Sequence, residues 1–208
     1  MKLKSPFQNK IKIYTDGADK KSMLEMAANP YVQGLTTNPS LMKKAGITNY
    51  TEFCKDILTQ IKDKPISFEV FADDFKEMHR QAQIIYKWAD NVYVKIPIMN
   101  SKGESSIPLI RELSAQGIKL NVTALFTWDQ IQETVMAVKT GAPSIVSVFA
   151  GRIADSGRNP NPLMSAAADF CRTHGDQIEL LWASTREVFN IVEAELDGCH
   201  IITAPPDI

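Results

Sequence analysis

The sequence predicts an α/β fold, a closed barrel in which parallel strands alternate with helices. Three observations predict it. Short apolar runs alternate along the chain with longer segments of helical period, which argues a parallel sheet with crossover helices. There are eight such runs, largely apolar on both faces, as strands between a barrel interior and a helical shell must be. No G-x-G-x-x-G follows the first run, so the doubly wound alternative lacks its phosphate-binding turn. At 208 residues the chain suits one domain, and a single (β/α)8 TIM barrel is expected over residues 1–208.

The expected strands are 11–15, 32–36, 66–71, 92–96, 118–123, 144–149, 178–183 and 199–203, rich in β-branched and aromatic residues. Between them, helical period predicts helices over 20–28, 39–45 with 50–62, 74–89, 106–116, 128–140, 162–173 and 185–196. Thr127 with Gln130 three residues on has the form of a capping box. Pro39 and Pro162 stand where a first helical turn tolerates proline. Gly46, Gly117, Gly141 and Gly175 fall near helix ends, where a left-handed cap is needed. The sequence holds no helix after the eighth strand, so that face is expected to be covered by further chain or by another subunit.

Composition narrows the function classes. Hydrophobic residues make up 44% and charged residues 23%, with a formal net charge of −1 and no long basic run. That gives no electrostatic case for nucleic acid or an anionic membrane. Cys54, Cys171 and Cys199 form no CxxC pair, and free thiols in a reducing compartment fit best. His79, His174 and His200 are scattered, so no metal site is expected. Residues 1–12 are basic without a signal peptide's apolar core, and no stretch approaches a membrane span. A cytoplasmic location is expected.

One residue breaks the strand pattern. Lys95 sits in Val92-Tyr93-Val94-Lys95-Ile96-Pro97, so it belongs near a strand's C-terminal end. A cation there must reach solvent or be buried, and burial favours the neutral amine that condenses with a carbonyl to a Schiff base. A lysine on an edge strand is the plainer reading of such a residue taken alone. Other strand ends weigh against it. In such barrels the reactive groups lie at the C-terminal rim, and reading only those positions gives Asp16, Thr37, Asn38, Glu69, Lys95, Asn121, Thr123, Ser147, Arg152, Ser184 and Arg186. Asp16 and Glu69 can move protons. Arg152 and Arg186, with Ser184, can hold a phosphate by charge-assisted hydrogen bonds. Asn38, Asn121 and Thr123 suit sugar hydroxyls or an ordered water. This chemistry requires no cofactor.

The chain resembles the transaldolase family, the Schiff-base aldolases that include small transaldolases and fructose-6-phosphate aldolase. The resemblance is carried, in family order, by Thr36-Thr37-Asn38-Pro39-Ser40, Val94-Lys95-Ile96-Pro97, Asn121-Val122-Thr123, Ser147-Val148-Phe149-Ala150-Gly151-Arg152 and Ala183-Ser184-Thr185-Arg186. It implies that Lys95 attacks the keto carbon of a ketose phosphate and that Asp16 takes the hydroxyl proton that drives carbon–carbon cleavage. Glu69 and Thr123 would position the water of imine formation. Thr37, Asn38 and Asn121 would serve the three-carbon unit, Ser147 and Phe149 would line the pocket, and Arg152, Ser184 and Arg186 would bind phosphate. The implied substrates are of the class of fructose 6-phosphate, sedoheptulose 7-phosphate, erythrose 4-phosphate and glyceraldehyde 3-phosphate. The resemblance also implies a homo-oligomer and a place in the pentose phosphate pathway.

Within the family, Glu69 and Phe149 resemble transaldolases, whereas fructose-6-phosphate aldolases carry Gln and Tyr there. Departures exist as well. The first strand reads Asp16-Gly17-Ala18 where the family usually has Asp-Thr-Ala, so Asp16 is expected to be held less rigidly. Val148-Phe149-Ala150 replaces the more usual Pro-Phe-Val, and Asn159 stands where an acidic residue is common.

Overall fold

A computed structural model describes residues 11–208, so the basic N-terminal stretch lies outside the described residues except for its last two positions. Eight strands close into a barrel in sequence order, each neighbouring pair parallel. They are β1 (Lys12–Asp16), β2 (Val32–Thr36), β3 (Ile66–Glu69), β4 (Val92–Pro97), β5 (Leu120–Leu125), β6 (Ser144–Val148), β7 (Ile178–Trp182) and β8 (Ile201–Ala204). The helices are α1 (Lys20–Ala28), α2 (Pro39–Lys44), α3 (Tyr50–Gln60), α4 (Phe75–Ile85), α5 (Ile107–Ala115), α6 (Trp128–Val138), α7 (Ala150–Asp155), α8 (Asn161–His174) and α9 (Phe189–Leu196). Among the described residues no helix is long and apolar enough to cross a membrane.

Alternation along each strand divides the buried apolar residues into two groups. One set, including Leu35, Phe68, Val94, Val122, Val146 and Leu180, packs with the helices into the large outer core. The other set, Tyr14, Ile145, Leu181, Ala183 and Ile201, forms a small separate cluster with Tyr93 and Phe149. The strands' other faces are therefore free to carry polar groups toward the rim.

Several local signals hold. Thr127 and Gln130 form a reciprocal capping box on α6. Gly46, Gly117 and Gly175 have positive φ. Gly141 differs: it lacks positive φ and instead lies against Ser114, where a Cβ would overlap the side chain and carbonyl. The last helix begins at Phe189 instead of Thr185, because Ser184 is left-handed (φ 63) and Asn190 Oδ1 accepts from the backbone N–H groups of Arg186 and Glu187. The short helix α7 falls between the expected strand 144–149 and the expected helix 162–173, where the sequence predicts no element. Six residues cannot display an amphipathic period.

The lower interior depends on one glycine. Gly34 is the register partner of Tyr14, and a Cβ at Gly34 would overlap the tyrosine ring. Gly34→Ala is expected to destabilise the fold by about 1–3 kcal/mol, the usual cost of overpacking, as read by urea unfolding. Unchanged stability would mean that the ring moves aside freely.

Candidate active site

The rim groups are set by strand register. Glu69, Lys95 and Asn121 are successive register partners across β3, β4 and β5, and Asp16 is paired with Thr36 across β1 and β2. They converge on a cavity of about 530 Å³ at the C-terminal end of the barrel. Every candidate residue named from the sequence lines it except Thr37. A larger, shallower groove of about 680 Å³ runs between α3 and α4, but its ionisable lining is limited to the exposed Lys55, Lys62 and Lys87. It has no acid–base pair, so the barrel cavity is the candidate site.

Lys95 is 7% exposed. Its Nζ donates to the Thr37 carbonyl at 3.0 Å and lies 3.3 Å from Glu69 Oε2. Burial pushes the Glu69 carboxyl above its usual range, against the lowering pull of Lys95, and the nearby Asp16 charge adds to the rise. Burial likewise raises Asp16, opposed by Lys95 and by a hydrogen bond from Thr36. Two carboxyls raised above their ordinary values beside one amine suit proton transfer.

Thr37 does not contribute its hydroxyl to the cavity. The side chain is fully buried and donates to the Ser67 carbonyl at 3.0 Å, so it is the Thr37 carbonyl that serves the site, by receiving Lys95. Asn38 caps α2, its Oδ1 accepting from Leu41 N–H at 2.9 Å, and leaves its amide NH2 for the cavity. Asn121 is pinned at both ends: Nδ2 donates to Ser67 Oγ at 2.9 Å, and Oδ1 accepts from Ser147 Oγ at 2.7 Å. Thr123 Oγ1 is buried and has no hydrogen-bond partner among the described residues.

The looseness expected from Gly17 is countered by its neighbours. Gly17 N–H donates to the Thr36 carbonyl at 3.1 Å, and Thr36 Oγ1 donates to Asp16 Oδ1 at 3.0 Å. Thr203 Oγ1 lies 2.7 Å from Thr36 Oγ1. A hydroxyl has one proton to give, so Thr203 donates to Thr36 while Thr36 serves Asp16. Sequence reasoning missed Thr36, Thr203 and Ser67. Counting by twos from Gly34 and Ile201, which face the interior, would have placed Thr36 and Thr203 on the inner face.

At the outer rim, Arg152 on α7 stacks over the Phe149 ring, 4.8 Å from its centroid, and Phe149 meets Phe126 edge-on at 5.6 Å. Arg186 and Ser184 lie beside α7, on the loop between β7 and α9. Among the described residues no group of three or more His, Cys, Asp or Glu could hold a metal ion.

Comparison with known proteins identifies the family. The sequence profile of the family Transaldolase/Fructose-6-phosphate aldolase matches residues 13–208. A protein named probable transaldolase from Herpetosiphon aurantiacus is 34% identical over 195 residues, covering 94% of this chain and 84% of that protein. Another of the same name, from Methanococcus maripaludis, is 37% identical over 198 residues, covering 95% of this chain and 87% of its own. The sialic acid aldolase of Ruminococcus gnavus superposes with a TM-score of 0.58 at 10% identity, over 93% of this chain and 68% of that one, which bears on the fold alone. The chain belongs to the transaldolase/fructose-6-phosphate aldolase family.

Proposed function

We propose that this enzyme transfers a dihydroxyacetone unit between a ketose phosphate and an aldose phosphate through a Schiff base on Lys95. The observation that carries the reading is the buried Lys95 amine facing Glu69 within a cavity that Asp16 also lines. Lys95 attacks the keto carbon, water leaves, and Glu69, the carboxylate paired with the amine, takes the amine's proton. Asp16 then removes the proton of the hydroxyl on the far carbon of the bond to be cleaved, so that this carbon becomes the aldehyde. As that bond breaks, its electron pair moves toward the iminium nitrogen. An aldose phosphate departs and an enamine stays on Lys95. An acceptor aldehyde reverses these steps, and water releases the product.

Glu69 and the free Thr123 hydroxyl hold the water that leaves and returns. The amide NH2 of Asn38 and the pinned Asn121–Ser147 pair offer fixed partners for the hydroxyls of the three-carbon unit. Arg152, Ser184 and Arg186 take the phosphate. Fructose 6-phosphate or sedoheptulose 7-phosphate would be donors, with erythrose 4-phosphate or glyceraldehyde 3-phosphate as acceptors. Glu69 and Phe149 favour transfer over free aldol cleavage, the runner-up.

Acceptor dependence separates the two readings. With fructose 6-phosphate alone, a transferase releases about one equivalent of glyceraldehyde 3-phosphate per site, whereas sustained release without an acceptor means aldol cleavage. Asp16→Ala is expected to keep imine formation while slowing cleavage by roughly 10²–10⁴-fold, and normal cleavage would assign the proton to another group. Thr123→Val breaks no hydrogen bond to a described residue, so stability is expected to stay within about 1 kcal/mol while turnover falls. Unchanged turnover would remove Thr123 from the water site.

The pH dependence follows from the raised carboxyls. Asp16 and Glu69 accept protons only when charged, and burial lifts both above the ordinary range of about 3.9–4.3. Turnover is therefore expected to fall on acidification at a pH clearly above that range. A kcat/KM profile that stays flat down to about pH 4 would contradict it.

A further inference from the structure

The short helix α7 and the loop between β7 and α9 meet at points that the reaction scheme above does not use. Gly151 N–H donates to the Ala183 carbonyl at 3.3 Å. A Cβ at Gly151 would overlap the Ser184 carbonyl and would lie 3.3 Å from Arg186 Cγ. Only glycine permits so close an approach, which brings the arginine's aliphatic stem against α7. One turn beyond Arg152 on the same helix, Asp155 receives Arg186: Nε lies 3.2 and 3.1 Å from the two carboxylate oxygens and Nη2 lies 2.5 Å from Oδ2. The Arg186 backbone N–H is fixed separately by Asn190 Oδ1 at 2.9 Å.

This pair uses one edge of the guanidinium. Nε and Nη2 face Asp155, while Nη1 and the second Nη2 hydrogen remain. Arg186 lines the cavity and Asp155 does not. The hydrogen bonds from Arg186 hold the Asp155 carboxyl below its usual range, and the charges of Arg186 and then Arg152 lower it further. Asp155 therefore lies within reach of both cations and lessens their mutual repulsion.

We propose that Asp155 is a positioning residue for substrate recognition, clamping one edge of Arg186 so that the other edge and Arg152 converge on one phosphoryl group. The proposal rests on the phosphate role given to Arg186 above. An exposed ion pair ordinarily contributes little, and two-point guanidinium–carboxylate geometry is the exception because it fixes orientation. A carboxylate that merely competed with phosphate for Arg186 would act in the opposite direction, and the experiment separates the two by sign.

The experiment compares Asp155→Ala, Asp155→Asn, Asp155→Glu and Arg186→Ala with the parent enzyme, each checked for folding by its thermal melt. The first readout is the half-saturating concentration for borohydride trapping with fructose 6-phosphate and, separately, with unphosphorylated dihydroxyacetone. The second is calorimetric binding of inorganic phosphate, which needs no imine. Asp155→Ala and Asp155→Asn are expected to raise half-saturation for fructose 6-phosphate and to weaken phosphate binding, each roughly tenfold, with dihydroxyacetone unchanged. Asp155→Glu restores part of the loss. If Arg186→Ala weakens phosphate binding but the Asp155 variants bind it as well or better, the clamp is overturned and the phosphate site survives. If Arg186→Ala has no effect on phosphate, both fall together. Equal losses for both donors reduce Asp155 to a general structural role and overturn the clamp.

Discussion

An ammonium or amine in a barrel interior has to be compensated there, and Lys95 is compensated by the Thr37 carbonyl and the Glu69 carboxylate. The rest of the site follows from that constraint. Glu69 must be Lys95's register partner on the next strand, and Thr37 must turn its carbonyl inward, which it does while its hydroxyl is tied to Ser67. Removing one member of a buried pair leaves the other uncompensated, at about 3–5 kcal/mol, whereas replacing both with apolar groups is often neutral. Stability therefore gives no reason to keep the pair. Reactivity gives one, because burial lifts the carboxyl beside the amine whose proton must move.

The fold makes room for this by separating packing from chemistry. Outward-facing strand residues build the large core under the helices, while the small interior cluster around Tyr14 fills the barrel. Above it, hydroxyls and amides fix one another: Thr203 to Thr36 to Asp16, and Ser147 to Asn121 to Ser67. Each chain holds a reactive or binding group in one orientation. The outer rim is built differently, from exposed side chains set by an aromatic stack and an ion pair. The inner chemistry is thus rigid, and the outer recognition depends on a few surface contacts.

Much of this was legible in the sequence. Strand–helix alternation predicts the barrel, and the polar residues at strand ends include every ionisable group of the cavity lining. Ends of elements were less legible: β5 runs two residues past its expected stop, through the left-handed Ala124, and α9 starts late because Asn190 captures the preceding backbone. Thr37 was placed correctly at the rim but with the wrong group facing the site, since sequence shows a residue and not which of its atoms turns inward. Asp155 carried no signal, because an acidic residue on a short exposed helix looks like solvated surface until Arg186 arrives from a distant loop.

The most direct test of the central claim is intact mass and peptide mapping after borohydride reduction with fructose 6-phosphate. A reduced three-carbon unit on the peptide carrying Lys95 is the predicted result, and it would demonstrate imine formation and carbon–carbon cleavage at once. An adduct on another lysine, or none on the folded protein, would contradict the assignment of Lys95 as the Schiff-base residue.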